Sequence, residues 1–284
     1  MGVYLDSALL GLQYALLALG VTITFRVLNT PDLTVDGSFV TGIAVSGVLT
    51  AAGHPVLGLL LSAPAGAAAG CITGFLQTKA GIHPILSGIL TMSGLYTVNI
   101  TILGGPNLSL LNQRKFFTAA LEAIPADKTL IKGVILLLIC ALAITLLFFF
   151  FRTVAGLSIR ATGNNEEMVR ASSINTDAMK VLALAISNAL VAFSGGLLAQ
   201  FQGFSDINSG SGMIVIGLAS VIIGEVIFGR RSLTLGLFSA VAGSVIYRLI
   251  LALALQYSFL SANALKLVSA VIVAATLSVP SVKK

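Results

Sequence analysis

Charge is scarce in this chain: Lys, Arg, Asp and Glu together make up 9% of its 284 residues, where a soluble domain carries about a quarter. Apolar types reach 57%. That balance excludes a water-solvated globule and predicts an integral membrane protein. The chain has no periodic alternation in segments of about ten residues, and its apolar runs of Leu, Ala, Ile, Val and Gly extend for about twenty. Helices are therefore expected rather than a barrel. The formal net charge of +6 comes from basic residues strewn over short loops, with no run longer than two. Membrane orientation accounts for them, and nucleic acid is not expected as a partner. Cys71 and Cys140, the two cysteines, both lie inside apolar runs and read as small packing residues rather than a disulfide. The two histidines, His54 and His83, each precede a proline at the end of a span. They read as turn residues, too far apart for a metal site. No G-x-x-x-x-G-K-[ST] loop is present, so nucleotide hydrolysis has to come from another polypeptide. No nucleophile with a base, no catalytic carboxylate pair and no redox motif occurs, which points away from an enzyme.

What is present is a succession of apolar runs, each long enough at helical rise to cross a hydrocarbon layer roughly 30 Å thick. The fold class predicted is an all-α polytopic membrane protein with about nine transmembrane helices. The spans are Ser7 to Phe25, a second to Gly53, Val56 to Thr78, Pro84 to Leu103, Gly133 to Phe151, Val181 to Ser205, Met213 to Phe228, Leu233 to about Tyr257, and about Ala264 to Val279. The first lacks a basic flank and a small-residue cleavage pattern, and is expected to be retained. The second is expected to be broken at its start, because NTPDLTVDGSF holds Pro31, Gly37, Asp32 and Asp36. The third contains two overlapping small-xxx-small motifs between Gly66 and Gly74. These either form a seam between two copies or pack within one, and the second is favoured. No internal inverted repeat is visible.

One polar stretch, Gly156 to Val181, is long enough to fold outside the membrane. If it is cytoplasmic, that side holds Lys79, Arg152, Arg160, Arg170, Lys180, Arg230, Arg231, Lys283 and Lys284, which is nine, against Arg114, Lys115, Lys128 and Lys132 outside, which is four. Positive-inside bias then sets the N-terminus outside and the C-terminus in the cytoplasm. Within the stretch, Gly163, Asn164 and Asn165 followed by Glu166 and Glu167 have the form of a helix start. A helix from Glu166 to about Ser172 is expected, with Asn175-Thr176-Asp177 capping the sixth span. A rigid surface helix presenting Met168 and Val169 to a partner and an ordinary solvated loop both fit these residues.

Asp32 and Asp36 are the costliest placements in the chain if they lie at membrane depth. They either line a path with Asn29, Thr30 and Ser38, or cap the broken span or pair with Arg26; a structural role is favoured for at least one. Asn99, Asn188 and Gln200 sit in or near apolar spans, where such groups bond across helices more often than they face a cavity. Glu225 is expected to pair near a surface or help seat a partner, and Arg248, in the eighth span, calls for a carboxylate or carbonyl partner. Phe148 to Phe151 beside Arg152 read as an interfacial anchor.

The run Gly156-Leu-Ser-Ile-Arg-Ala-Thr-Gly-Asn-Asn-Glu-Glu-Met-Val-Arg-Ala-Ser-Ser-Ile-Asn-Thr resembles the cytoplasmic coupling segment of ABC importer permeases of the branched-chain amino acid and ribose type. Asp32-Leu-Thr-Val-Asp-Gly-Ser38 is similar to the DLSVGS start of the second core helix in that superfamily. Phe25-Arg-Val-Leu-Asn-Thr-Pro-Asp, Leu86-Ser-Gly-Ile-Leu-Thr-Met and Gly217-Leu-Ala-Ser-Val-Ile-Ile-Gly-Glu-Val-Ile-Phe resemble those members expected to carry tryptophan and tyrosine. The resemblance implies a single permease domain over 1–284 with its coupling segment at 156–178, in a bacterial cytoplasmic (inner) membrane. It implies an ABC ATPase dimer holding ATP and Mg, no cofactor in this chain, an external substrate-binding protein, and a second permease copy in a homodimer. Gly163, Asn164, Asn165, Glu166, Glu167, Met168, Val169, Arg170 and Ser173 would meet the ATPase. Asn29, Thr30, Asp32, Asp36, Ser38, Asn99 and Asn188 are the candidates for the translocation path, and no residue is assigned to a metal. The cargo expected is an amino acid, aromatic ones favoured. The alternatives are a sugar or nucleoside carried by the same kind of permease, or an ion-coupled secondary transporter using Asp32, Asp36 or Glu225.

Overall fold

The computed structural model describes residues 2–118, 128–229 and 232–256, together with the isolated helical positions Val271 and Ala274. The chain is a bundle of helices that are apolar on almost every side, so lipid and neighbouring helices, rather than water, face most of their surface. In order, α1 (Gly2–Thr22) runs on into a π-helical turn (Ile23–Val27), followed by α2 (Val35–Ala51), α3 (Pro55–Thr78) and α4 (Pro84–Leu103). A short strand, β1 (Asn107–Ser109), precedes α5 (Lys128–Phe150), which leads to two polar helices, α6 (Val154–Asn164) and α7 (Glu166–Ala171). Then come α8 (Thr176–Gln202), β2 (Phe204–Asp206), a 3-10 turn (Ile207–Gly210), α9 (Met213–Phe228) and α10 (Leu233–Gln256).

Eight of the nine expected spans thus have their helix, and the ninth, about 264–279, lies outside the described residues apart from Val271 and Ala274. Among the described residues seven helical stretches are long and apolar enough to cross a membrane, and α2, with 17 residues, is the shorter eighth. Two helix starts move: that of the first span lies at Gly2 rather than Ser7, and that of the fifth at Lys128 rather than Gly133, because the polar residues there extend the helix beyond the apolar run. The sixth begins at Thr176, behind the expected cap at Asn175. Local chemistry sets other ends: Pro55 and Pro84 occupy first helical positions behind His54 and His83, and Gly104 and Gly203 close α4 and α8 at φ 71° and 80°.

The centre of the bundle is α8, which packs against α1, α2 and α3. Lipid tails are as apolar as leucine, so helices in a membrane associate by close packing rather than by escape from solvent. Glycines permit that here. A Cβ at Gly42 on α2 would lie 1.8 Å from the Ala192 carbonyl oxygen, and one at Gly195 on α8 only 2.1 Å from that of Phe39. On α3, Gly66 and Gly70 face the Asn188 and Leu184 carbonyl oxygens at 2.2 and 2.3 Å, and Gly74 faces Val181. The small-residue stripe is therefore used within one subunit, against α8. The exposed apolar side chains concentrate elsewhere, on α3, α4 and α5, with Leu60, Ile89 and Leu142 among them.

Candidate functional site

Between α8 and α9 the chain turns back into the bundle. Asn107, Leu108 and Ser109 pair antiparallel with Asp206, Ser205 and Phe204, and Ser205 Oγ donates to the Ile43 carbonyl at 3.3 Å. Five residues later Gly210 sits against Val40 and the Asp36 carbonyl, where a Cβ would be 2.3 and 2.5 Å from its neighbours. Ser205 also faces Gly47, so the segment travels along α2 from Gly47 to Asp36, roughly 16 Å at helical rise. Non-helical backbone at such depth is tolerated where protein covers it. The first turn of α9 starts there, and Asp36 caps it: its Oδ2 accepts from Gly212 N at 2.9 Å and its Oδ1 from Ile214 N at 2.8 Å. The aspartate expected to cap its own helix therefore caps a different one, since the descending segment brings unsatisfied amides to its side chain.

Beside this junction lies a cavity of about 490 Å³, walled by α2, α4 and the descending segment. Asp36 and Asn99 are the path candidates that line it, together with Met92, Ser93, Tyr96 and Asn208, which were not anticipated. Asn99 is 1% exposed, and its Nδ2 donates to the Gly37 carbonyl at 3.1 Å. Of the three amides singled out in the sequence, it alone reaches the cavity wall. Gln200 instead ties helix ends, donating to Ser46 Oγ and the Pro55 carbonyl and accepting from Phe116 N. Ser38 is fully buried and outside the lining.

Asp32 and Asn188 meet elsewhere. Asp32 Oδ1 accepts from Thr34 N at 2.9 Å, which starts α2 after the break, and Oδ2 accepts from Asn188 Nδ2 at 2.8 Å. Thr34 and Thr73 hydroxyls meet 2.7 Å apart alongside. These contacts pin the broken start of α2 to α8 and α3. Asn29 is exposed, with left-handed backbone at φ 59°, and Thr30 bonds back to Leu28; neither lines the cavity. Arg26 pairs with Glu225 rather than with either aspartate, because the π-helical turn carries it toward the end of α9. Among the described residues Arg248 meets an aromatic face, its guanidinium lying 4.2 Å from the centre of the Tyr14 ring. Arg152 similarly covers Phe148 at 4.1 Å.

The polar stretch after α5 is almost wholly helical. Thr153 caps α6, an eleven-residue helix not expected from the sequence, and Asn165 caps α7 by accepting from Met168 N at 3.0 Å. Asn175 caps α8 in the same manner through Ala178 N. Glu166 joins the pieces: its carboxylate accepts from Lys180 Nζ at 2.6 Å and Arg170 at 2.9 Å, and Arg170 also reaches Asp177 at 3.0 Å. Partial burial works against ionising Glu166, but Lys180, Arg170 and the Thr176 hydroxyl outweigh it and hold the carboxyl below its ordinary range. On α7, Met168 is 58% exposed whereas Val169 is 2% exposed. Val169 is thus a packing residue, about 100° round the helix from Met168, and is not available to a partner. Gly163 backs α6 onto the π-helical turn, where a Cβ would lie 2.0 Å from the Val27 carbonyl oxygen. Asn164, Glu167, Arg170 and Ser173 are exposed, Ser173 closing α7 at φ 61°. Among the described residues no group of three His, Cys, Asp or Glu side chains comes together as a metal site.

Over residues 3–277 the chain matches the protein family described as branched-chain amino acid transport system / permease component. The tyrosine transport system permease protein of Clostridioides difficile is 36% identical over 265 residues, 93% of this chain and 86% of that protein. The uncharacterized protein RP368 of Rickettsia prowazekii is 35% identical over 214 residues, covering 75% of this chain and 73% of its own length. The autoinducer 2 import system permease protein LsrC of Yersinia enterocolitica is 29% identical over 225 residues, 74% of this chain and 57% of that protein. No solved structure gives a significant match.

Proposed function

Since the chain belongs to the family of branched-chain amino acid transport system permease components, we propose that it is the membrane-spanning subunit of an ATP-driven, binding-protein-dependent importer of amino acids, aromatic ones such as tyrosine favoured. The observation that carries the reading is the capped helix pair α6–α7, held between two spanning helices by the Glu166 ion cluster. A short exposed helix with an apolar tip at Met168, tied ionically to the base of the central helix, is a stiff contact through which another protein can push. In this reading the pair is cytoplasmic, the N-terminus is outside, nine spans cross the bacterial inner membrane, and each of two permease copies seats one subunit of an ATPase dimer holding ATP and Mg.

Force entering at Met168 has two routes. One runs through Glu166 and Lys180 into α8; the other runs through Gly163 into the turn at Val27 and so to the broken start of α2. Both meet at the Asp32–Asn188 contact, next to the helix that carries Asp36 and the cavity. The amino-acid assignment is supported by the relative named for tyrosine transport, and the relative named for autoinducer 2 import keeps a different solute as the second reading. Replacing Glu166, Met168 and Arg170 together tests the coupling: ATP hydrolysis continues and solute uptake stops, while the protein still assembles in the membrane. Unchanged uptake in the triple variant refutes it.

A further inference from the structure

Among the described residues lining the cavity between α2, α4 and the descending segment, Asp36 is the one formally charged side chain. Both of its oxygens accept amides from the first turn of α9, and about two acceptor positions remain on the group. The amides that would otherwise receive a solute's carboxylate at that helix start are taken by Asp36 itself. Asn99 adds a second acceptor. Its Nδ2 is committed to the Gly37 carbonyl, and its buried Oδ1 has no hydrogen-bond partner among the described residues. A buried acceptor left unpaired is costly, and one set in a cavity wall is satisfied when an occupant brings a donor. Met92, Val40 and Ile207 make another part of the wall apolar. The volume, about 490 Å³, falls within the range of small-molecule sites.

We propose that this cavity is a solute-binding site within the membrane for a molecule carrying an ammonium group beside an apolar body, the ammonium held by Asp36 and Asn99. The assignment of its occupant as transported cargo rests on the importer reading, whereas its preference for a cation does not. A solute carboxylate meets no Lys or Arg among the described lining residues and is left to neutral groups such as the Tyr96 hydroxyl. The site therefore discriminates on the amine: an amino acid fits and its des-amino analogue does not.

The test uses Ser93→Cys in the purified complex with its ATPase, with Cys71 and Cys140 replaced by alanine. A cationic methanethiosulfonate reagent labels the new thiol at least about tenfold faster than an anionic one of similar size, as focusing by a lone carboxylate requires. Millimolar tyrosine slows the labelling, and 3-(4-hydroxyphenyl)propionate at the same concentration does not. Asp36→Asn removes the charge preference, and Asn99→Leu removes the protection by tyrosine while keeping the charge preference, which distinguishes loss of the site from loss of the fold. Equal rates for the two reagents, or equal protection by the two solutes, overturn the proposal. Failure of ATP-driven uptake with the labelling pattern intact overturns the importer reading and leaves the site standing.

Discussion

Asp32 and Asn188 lie 156 residues apart in the chain and bond at 2.8 Å in the interior. Removing the carboxylate strands the Thr34 amide and one donor of Asn188, so Asp32→Ala should cost about 1–3 kcal/mol, read as a lowered thermal midpoint in detergent; Asp32→Asn, which keeps an acceptor, should lose less. Glu166 gives a pH prediction. Its carboxyl is held below the ordinary value of 4.5 once α7 is docked, so the docking gains stability that is complete above that value and fades as pH falls through the lower, docked one. Amide exchange in residues 166–171 should be protected at neutral pH and lose protection only below about pH 4.5. Glu166→Gln should remove that pH dependence. Persistence of the dependence in Glu166→Gln would place its origin in another group. At this scale the caps were legible, because Asn165 and Asn175 act within three residues of themselves. Partners were not: nothing local says that Asp36 caps a helix beginning at Met213, or that Arg26 meets Glu225.

Helix positions followed closely from the apolar runs, and α4 and α9 have the bounds that Pro84, Gly104 and Gly229 dictate. The Gly66–Gly74 stripe was legible as a close-packing face, and its partner, α8, follows only from the fold. Gly70→Leu should prevent the α3–α8 crossing and yield aggregated protein in size-exclusion chromatography, since the side chain would enter the Leu184 backbone. Gly94→Ala, on an open face of α4, should elute as the parent does. Misbehaviour of both alike would show that the crossing is not what matters. The cavity was the least legible element. Its third wall, residues 203–212, reads as a surface loop because Asp, Asn, Ser and Gly dominate it, and only burial by α2 and α4 lets such backbone go deep. The available signal was a short sixteen-residue apolar helix behind a glycine-rich segment, a combination that marks solute sites in other transporters.

As a whole molecule the chain holds a charged helix pair at the foot of α8 and an acceptor-lined cavity beside α2, with α8 and the broken start of α2 running between them. Thr73 is buried against Thr34, so Thr73→Cys should give no disulfide between copies in the membrane; its formation would place α3 at a subunit seam. The central claim is that work done by a separate ATPase enters at α7 and moves a solute through the bundle. The direct measurement is uptake of labelled tyrosine into proteoliposomes holding this chain with and without its ATPase and binding protein. The account predicts uptake only with both partners and ATP, abolished by the Glu166, Met168 and Arg170 triple replacement. Uptake by this chain alone, driven by a proton or sodium gradient, would contradict it.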